Sequence, residues 1–291
     1  MILSTQTERL AEWFGLEEGI RILCEAGFDA LDLSLFFMHE DSHALNGAGY
    51  RAYAENLKAV AAAYGVAFNQ AHAPFASQVE GDAAYNKRTF GHIVRSMEVA
   101  AIAGAKQIIV HPFGTRDPAQ TQQRNLDFFN ALLPYAKAFN IKIALENMWK
   151  TNEVTKKIIP SVCSYGKDLA AYYDALDPAH FTVCLDLGHC GLVGSDAPAM
   201  IRELGAGRLC ALHVHDNDHL RDSHVAPFFG KMDWEGITQA LAEIGYTGEF
   251  TFEADNYYDL FPRALAKGTA RFLHDIGRYL IEQIESRRVA Q

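Results

Sequence analysis

Eight short apolar or β-branched runs alternate along this chain with longer segments of helical periodicity. Such alternation is typical of βα units that build a parallel sheet. The predicted strands span residues 1–4, 30–35, 67–72, 107–111, 142–146, 181–186, 209–213 and 249–253. The predicted helices span residues 16–26, 49–64, 82–104, 118–139, 166–176, 196–204, 234–244 and 259–285. Eight units predict an α/β fold of the (β/α)₈ TIM-barrel type, in a single domain over residues 1–291.

Glycine separates several predicted helices from the strands that follow them, at Gly27, Gly65, Gly104 and Gly245. A left-handed glycine ends a helix at little cost. The recurrence of this order favours many similar units over two unrelated domains. The alternative is an open doubly wound sheet, which commonly carries a glycine-rich phosphate loop after its first strand. The sequence contains neither GxGxxG nor GxxxxGK[ST].

The composition indicates a globular protein with a small-molecule partner. The chain has 291 residues, 49% hydrophobic and 21% charged, enough for a sizeable core. A formal net charge of -10 disfavours broad attachment to nucleic acid or to an anionic membrane. A bound divalent metal would make the local electrostatic potential positive, so the net charge does not exclude phosphate-bearing substrates.

The five cysteines predict no disulfide framework. Their number is odd, no CxxC spacing occurs, and the first ten residues lack the pattern of a signal peptide. No apolar run reaches the roughly 18 residues expected of a membrane span. We therefore expect reduced thiols in a soluble, cytoplasmic protein. The cysteines are Cys24, Cys163, Cys184, Cys190 and Cys210.

Side chains that can bind metal end six consecutive predicted strands, the third to the eighth. They are His72, His111, Glu146, Asp186, His213 and Glu253. In a barrel the carboxyl ends of all strands meet at one rim. Crowded carboxylates would repel one another there, and a divalent cation would neutralise them while keeping a position open for water or substrate. One such residue alone is more often a loop cap or a solvated group, but six in register predict a metal site.

More polar side chains follow the strands. His189 comes three residues after Asp186, His215 follows His213, and the segment RDSH supplies Asp222 and His224. These residues are candidates for further metal ligands or for substrate contacts. The alternative interpretation is a polar, solvated loop.

These residues resemble the xylose-isomerase-like TIM-barrel superfamily, which includes sugar-phosphate isomerases and epimerases and the apurinic endonucleases of the endonuclease IV type. The resemblance covers nearly the whole chain, and its most specific segments are HAPF, VHPFG, LENM, CLDLGH, LHVHDND, RDSHVAPFFGKMDW and FEAD. It implies that one catalytic metal, commonly Mn²⁺, Mg²⁺, Co²⁺ or Zn²⁺, is bound by Glu146, Asp186, His213 and Glu253. In the endonucleases, the residues that match His72, His111, His189, Asp222 and His224 join those four to hold three zinc ions.

The resemblance favours an isomerase or epimerase that acts on a small sugar, sugar phosphate or inositol-type compound through a metal-stabilised enediolate. Glu146 and Glu253 would then transfer protons at the substrate carbon. The segment VAPFFGKMDW is similar to the LPGxGxxDW-like segment of that branch, with Phe228 and Phe229 in place of its smaller residues. The alternative is an apurinic/apyrimidinic endonuclease of the endonuclease IV type with a multinuclear zinc site.

Substrate contacts are assigned to residues near the rim. His189 is the candidate for a substrate hydroxyl, and Trp149 and Phe113 are candidates for apolar walls. Trp149 is equally compatible with ordinary packing. Arg221 is a candidate for a substrate phosphate, because guanidinium and phosphate geometries match. Barrels of this kind often associate in pairs, so a homo-oligomer is also a candidate assembly.

Overall fold

A computed structural model describes residues 1–289 of the chain. Its strands are β1 Leu3–Gln6, β2 Ala30–Ser34, β3 Ala67–His72, β4 Gln107–Val110, β5 Lys142–Glu146, β6 Trp149–Thr151, β7 Ile158–Pro160, β8 Phe181–Asp186, β9 Leu209–His213 and β10 Phe250–Phe252. Its helices are α1 Glu8–Phe14, α2 Leu16–Ala26, α3 Tyr50–Ala62, α4 Ala83–Ala103, α5 Pro118–Phe139, α6 Gly166–Asp174, α7 Leu187–Leu192, α8 Ala197–Arg208, α9 Trp234–Glu243 and α10 Ala266–Val289.

Eight parallel strands form the barrel, in the order β10-β1-β2-β3-β4-β5-β8-β9. The circle closes between β9 and β10 through a parallel bridge from Val214 to Phe252. The remaining two strands, β6 and β7, form an antiparallel hairpin in the loop after β5. The structure thus confirms the predicted (β/α)₈ barrel.

The barrel interior has an apolar and a polar part. Ile109, Ala144, Cys184 and Ala211 are fully buried and form a small cluster of their own. Elsewhere in the interior, Ser4 donates a hydrogen bond to Asn69 at 2.7 Å. The polar part lets the barrel carry buried hydrogen-bonding groups close to its rim.

The predicted strands at 67–72, 142–146, 181–186 and 209–213 agree with the structure residue for residue. The first strand was placed two residues too early, because its polar members Thr5 and Gln6 pair with β2 and are buried although they are not apolar. The second and fourth strands were each predicted one residue too long, and the eighth was predicted one residue too long at each end. His111 and Glu253 therefore lie one residue past the ends of β4 and β10.

The helix predicted at 259–285 is wrong over its first seven residues. Two short 3₁₀ turns, Asp255–Leu260 and Arg263–Leu265, occupy this stretch, and α10 begins at Ala266. Pro262 separates the turns in an extended conformation, with φ -55° and ψ 137°. A proline in that conformation cannot continue a helix. The helices α1 and α7 and the β6–β7 hairpin were not predicted.

Gly27 and Gly104 show why glycine precedes the next strand. Both lie at a helix C-cap in the left-handed region, with φ 101° and 103°. A side chain would be strained in that conformation. In residues 1–289, we find no helix with both the length and the apolar character needed to cross a membrane.

Candidate metal centre

Four barrel strands bring Glu146, Asp186, His213 and Glu253 to one point. Glu146, Asp186 and His213 end β5, β8 and β9, and Glu253 follows β10. Asp186 lies beside His213 in the strand register. One ligand atom from each of the four lies within 4.8 Å of the others, and all four side chains are buried. The structure therefore assembles the predicted four-residue set.

His213 is the centre of this set. Its Nδ1 atom lies 2.9 Å from Glu146 Oε1 and 3.0 Å from Glu253 Oε2. His213 Nε2 is buried and has no hydrogen-bond partner within residues 1–289. Three carboxylates and one imidazole, all withdrawn from water and incompletely paired, match the donor preferences of a divalent metal such as Mn²⁺, Mg²⁺, Co²⁺ or Zn²⁺. The residues present fit such an ion.

Both glutamates are held in the anionic form. Burial would raise the pKa of Glu146, but the facing His213 and His111 rings outweigh it and hold that pKa well below its usual range. Burial likewise opposes the charge on Glu253, and His213 again lowers its pKa below the ordinary value. Metal ligands must be deprotonated. The two carboxylates meet that requirement at neutral pH.

His72 and His111 form a second group of donors around the other oxygen of Glu146. His111 Nε2 lies 2.9 Å from Glu146 Oε2, and His72 Nε2 lies 3.6 Å from the same atom. The two imidazole nitrogens are 2.9 Å apart. Glu146 is therefore shared between two sets of possible ligands.

His189, Asp222 and His224 form a third group. Asp222 Oδ2 lies 3.5 Å from His189 Nε2 and 3.2 Å from His224 Nε2. His215, which the sequence offered as a candidate for a further metal ligand or a substrate contact, joins this group and is fully buried. Its Nε2 atom lies 3.0 Å from Asp186 Oδ1, and its ring stacks on His224 with centroids 4.0 Å apart. The third group thereby adjoins the four-residue set through Asp186.

Polar side chains inside the barrel support the centre from below, and sequence reasoning missed them. Asp32 Oδ2 accepts a hydrogen bond from Gln70 at 2.7 Å and lies 3.7 Å from His213 Nε2. Gln6 Nε2 donates to Glu253 Oε1 at 2.8 Å. The available signal was a carboxylate or amide inside an otherwise buried strand, as in LDLS and FNQAH. A carboxylate behind a ligating histidine fixes the orientation of its ring.

The centre opens into a cavity of about 890 Å³. Phe36, Phe75 and Trp149 line it, together with Phe113. Trp149 also donates from Nε1 to Asp222 Oδ2 at 3.1 Å, so it both packs and positions a polar group. The cavity has the size and the mixed apolar and polar lining of a small-molecule site.

The structure does not bring Arg221 to this cavity. Its guanidinium is paired with Asp218 at 2.8 Å, and its side chain is 84% exposed. The lining residues of the cavity do not include it. The contact predicted between Arg221 and a substrate phosphate therefore has no support from this geometry.

Two further carboxyl groups, Glu8 and Asp255, line the same cavity. Burial, and after it the neighbouring negative charges of Asp255 and Glu253, raise the pKa of Glu8 to about 8. Burial also raises the pKa of Asp255 to about 6. At neutral pH the cavity therefore includes a protonated carboxyl group, that of Glu8, beside the anionic Glu146 and Glu253.

Asp216 organises the loop that carries Asp222 and His224. Its Oδ1 accepts from the Met232 N–H at 3.0 Å, and its Oδ2 accepts from the Phe228 N–H at 3.0 Å and from Trp234 Nε1 at 2.8 Å. Asp216 is fully buried. Phe228 has φ 76°, in the left-handed region that favours glycine. One carboxylate therefore fixes the loop at several points.

The family model described as xylose isomerase-like TIM barrel matches residues 20–276 of this chain. An uncharacterized protein of Sinorhizobium fredii is 29% identical over 164 residues, which are 54% of this chain and 50% of that protein. The match thus extends over about half the length of that curated relative.

Two solved structures share the fold across almost the whole chain. A D-tagatose 3-epimerase-like protein superposes with a TM-score of 0.77 at 19% identity, over 99% of both chains. The IOLI protein with a bound zinc atom superposes with a TM-score of 0.74 at 15% identity, also over 99% of both chains. At these identities the likeness concerns the fold.

Proposed function

The chain belongs to the xylose isomerase-like TIM barrel family, and from this premise we propose that it is a divalent-metal-dependent isomerase or epimerase of a small, sugar-like substrate. The observation that carries the proposal is the convergence of Glu146, Asp186, His213 and Glu253 within 4.8 Å. Two of the four, Glu146 and Glu253, line a cavity. A structural neighbour described as D-tagatose 3-epimerase-like supports the substrate class.

Glu146, Asp186, His213 and Glu253 would hold the catalytic metal. When bound, the ion would supply positive charge that stabilises negative charge on substrate oxygens while a neighbouring C–H is deprotonated. Asp32, through His213, and Gln6, through Glu253, would keep two of the ligands in position. The neighbour with a bound zinc atom supports the class of cofactor but not the choice of ion.

Glu146 and Glu253 are the proposed proton-transfer groups. Each places one carboxylate oxygen within 3.0 Å of the same nitrogen of His213. Both line the cavity and both are anionic without metal. One would accept the proton from the substrate carbon. In isomerisation that same group would return the proton to the neighbouring carbon, whereas in epimerisation the other carboxylate, after taking a proton from water, would deliver it to the opposite face.

His189 and Trp149 are the proposed substrate contacts. His189 is buried, lines the cavity, and has its Nε2 atom 3.5 Å from Asp222. Its ring lies edge-on to Trp149 with centroids 6.3 Å apart. This pair would present an imidazole to a substrate hydroxyl beside an apolar face for the carbon skeleton.

A second candidate is an endonuclease of the endonuclease IV type. Three adjoining groups of donors favour it, because Glu146 faces both His213 and His111 and Asp186 faces His215. Such an arrangement is compatible with several metal ions acting on a phosphodiester. The formal net charge of -10 weighs against grip on a nucleic acid duplex.

Metal analysis and a paired activity screen test the proposal. We expect one catalytic ion per chain that exchanges with Mn²⁺, and turnover in a metal-supplemented screen of ketoses, ketose phosphates and inososes. Glu146→Gln and Glu253→Gln should each reduce turnover by about 10²–10⁴-fold, whereas Glu235→Gln, at a side chain 87% exposed on α9, should not. Three tightly held zinc ions and incision of abasic DNA without sugar turnover would establish the second candidate instead.

A further inference from the structure

A row of half-exposed apolar side chains lies along the outer face of α10. Leu265, directly before the helix, and Phe272 and Tyr279 within it are spaced seven residues apart. They are 53%, 51% and 52% exposed. Residues seven apart lie on the same face of a helix, about two turns from each other. Phe228 lies beside Tyr279, with ring centroids 6.1 Å apart, and is 54% exposed. These four side chains form one surface, the α10 stripe.

The α10 stripe is large enough for the core of a protein interface. An aromatic side chain carries about 150–250 Å² of surface. The exposed halves of the three rings and of Leu265 therefore amount to roughly 400 Å². An apolar patch of this size on a single chain is often functional. A stable interface buries about 800 Å² on each partner, as an apolar core with a polar rim. The stripe supplies such a core, and the charged side chains beside it supply a rim.

The charged side chains beside the stripe change sign at Phe272. The exposed charged residues of α10 are basic before this position and acidic after it. They are Lys267 and Arg271, followed by Asp275, Glu282 and Glu285. The later arginines of the helix are only partly exposed and contact other parts of the same chain: Arg278 pairs with Asp29, Arg287 donates to the Glu235 carbonyl, and Arg288 lies against Met1. The exposed face of α10 is therefore basic in its first half and acidic in its second.

Both patterns are symmetric about Phe272. Leu265 lies seven residues before it and Tyr279 seven residues after it, so a twofold axis through Phe272 would bring Leu265 of one copy over Tyr279 of another in an antiparallel helix pair. The same axis would place the basic half of α10 opposite the acidic half of the second copy. The ion pair between Arg271 and Asp275 within one chain is exposed and worth little, so both charges stay available. A twofold interface requires such a self-complementary surface.

We propose that the α10 stripe is the interface of a homodimer, in which the α10 helices of two copies of this chain pack antiparallel about Phe272. The occupant is a second copy, because the apolar spacing and the reversal of charge share one centre of symmetry. The interface also includes Phe228, whose N–H binds Asp216 in the loop that carries Asp222 and His224. Dimer formation would therefore cover the outer side of a loop whose inner side lines the cavity.

Light scattering and sedimentation of the full chain measure its mass in solution over a range of concentrations. We expect a species of twice the 32.3 kDa chain mass. Phe272→Asp should raise the dissociation constant of the dimer at least about thirtyfold, as expected of a central aromatic residue of an interface. The control is Val154→Asp, at a side chain 90% exposed between β6 and β7, which should leave the dimer unchanged. Thermal melts should show that both variants are folded.

Charge reversal tests the antiparallel arrangement itself. Arg271→Glu should weaken the dimer about tenfold, because symmetry introduces the like charge at two places in the interface. Combining it with Asp275→Arg exchanges the two signs and should restore most of the affinity. A double variant as weak as the single one would contradict this arrangement.

A cysteine at the axis gives a second measurement that does not depend on the aspartate variant. Two copies of residue 272 meet at the twofold axis, so Phe272→Cys should form a covalent dimer under mild oxidation, whereas Val154→Cys should not. A monomeric unaltered protein, a dimer that Phe272→Asp leaves intact, or a Phe272→Cys variant that stays uncrosslinked would each overturn the proposal. None of these measurements depends on metal or turnover, so the outcome is independent of the proposed isomerase activity.

Discussion

Gly188 has room for no side chain, and its replacement by alanine provides a direct test of the packing around the centre. A Cβ at this position would lie 2.0 Å from His215 Cε1 and 2.5 Å from both ring nitrogens. His215 is fully buried and stacked on His224, so its ring has no free space beside it. The backbone of Gly188 is also fixed, because its carbonyl accepts from Asn217 Nδ2 at 2.9 Å.

The expected change in the free energy of unfolding is the difference between two opposing effects. Overpacking a dense core costs about 1–3 kcal/mol, and replacing glycine by alanine within a helix returns about 0.5–1 kcal/mol. We therefore expect Gly188→Ala to lower the free energy of unfolding by about 1–2 kcal/mol. Displacement of His215 would also disturb Asp186, 3.0 Å away, and should weaken metal binding.

Denaturant unfolding of the metal-free protein and metal titration measure both effects. The matched control is Gly91→Ala in α4, where an added Cβ meets nothing within 4 Å. This variant should gain about 0.5–1 kcal/mol from the same chemical change. If Gly188→Ala were as stable as Gly91→Ala and bound metal like the unaltered protein, the close packing of His215 on α7 would be refuted.

Three more predictions concern charge and metal. Because folded Glu8 keeps its proton up to pH about 8 while an ordinary glutamate loses it near 4.5, stability should fall as pH rises between these values. When metal is removed with EDTA, Glu8→Gln should abolish this pH dependence and raise the free energy of unfolding by about 2 kcal/mol at pH 9, after allowance for solvent screening. Identical pH profiles of the variant and the unaltered protein would contradict this. Asp32→Asn should weaken metal binding about 10–100-fold in a chelator competition, by loosening His213, and unchanged affinity would remove that role. Mn²⁺ at a hundredfold excess over its Kd should stabilise the chelator-treated protein by about 2.7 kcal/mol, and a Tm insensitive to metal would argue against a site in the native state.

The sequence could predict the ends of the central strands because local patterns determine them. In β5, β8 and β9 an apolar run stops at an ionisable residue, so Glu146, Asp186 and His213 follow from the pattern and from the common rim of a parallel barrel. The extents of β4 and β10 depend on pairing with neighbouring strands. The predicted strands therefore ended on His111 and Glu253, one residue beyond the observed ends of β4 and β10.

The missed residues depend on contacts across the barrel. Asp32 stands in an apolar strand, and only the approach of Gln70 and His213 reveals its position. Asp255 follows the strand end within a segment that resembles the start of a helix until Pro262 interrupts it. Arg221 was assigned from its chemistry alone. The sequence does not show whether its guanidinium binds Asp218, three residues away, or a substrate phosphate.

The attachment of the 222–232 segment to Asp216 bears on how such enzymes diversify. Because Asp216 binds this segment through the backbone N–H groups of Phe228 and Met232, the path of the chain does not require particular side chains at these two positions, whereas Gly230 between them has no room for a Cβ beside Asp216 Oδ1. An exchange of residues 225–232 between barrels that keep this aspartate should therefore preserve the path of the chain and the positions of Asp222 and His224.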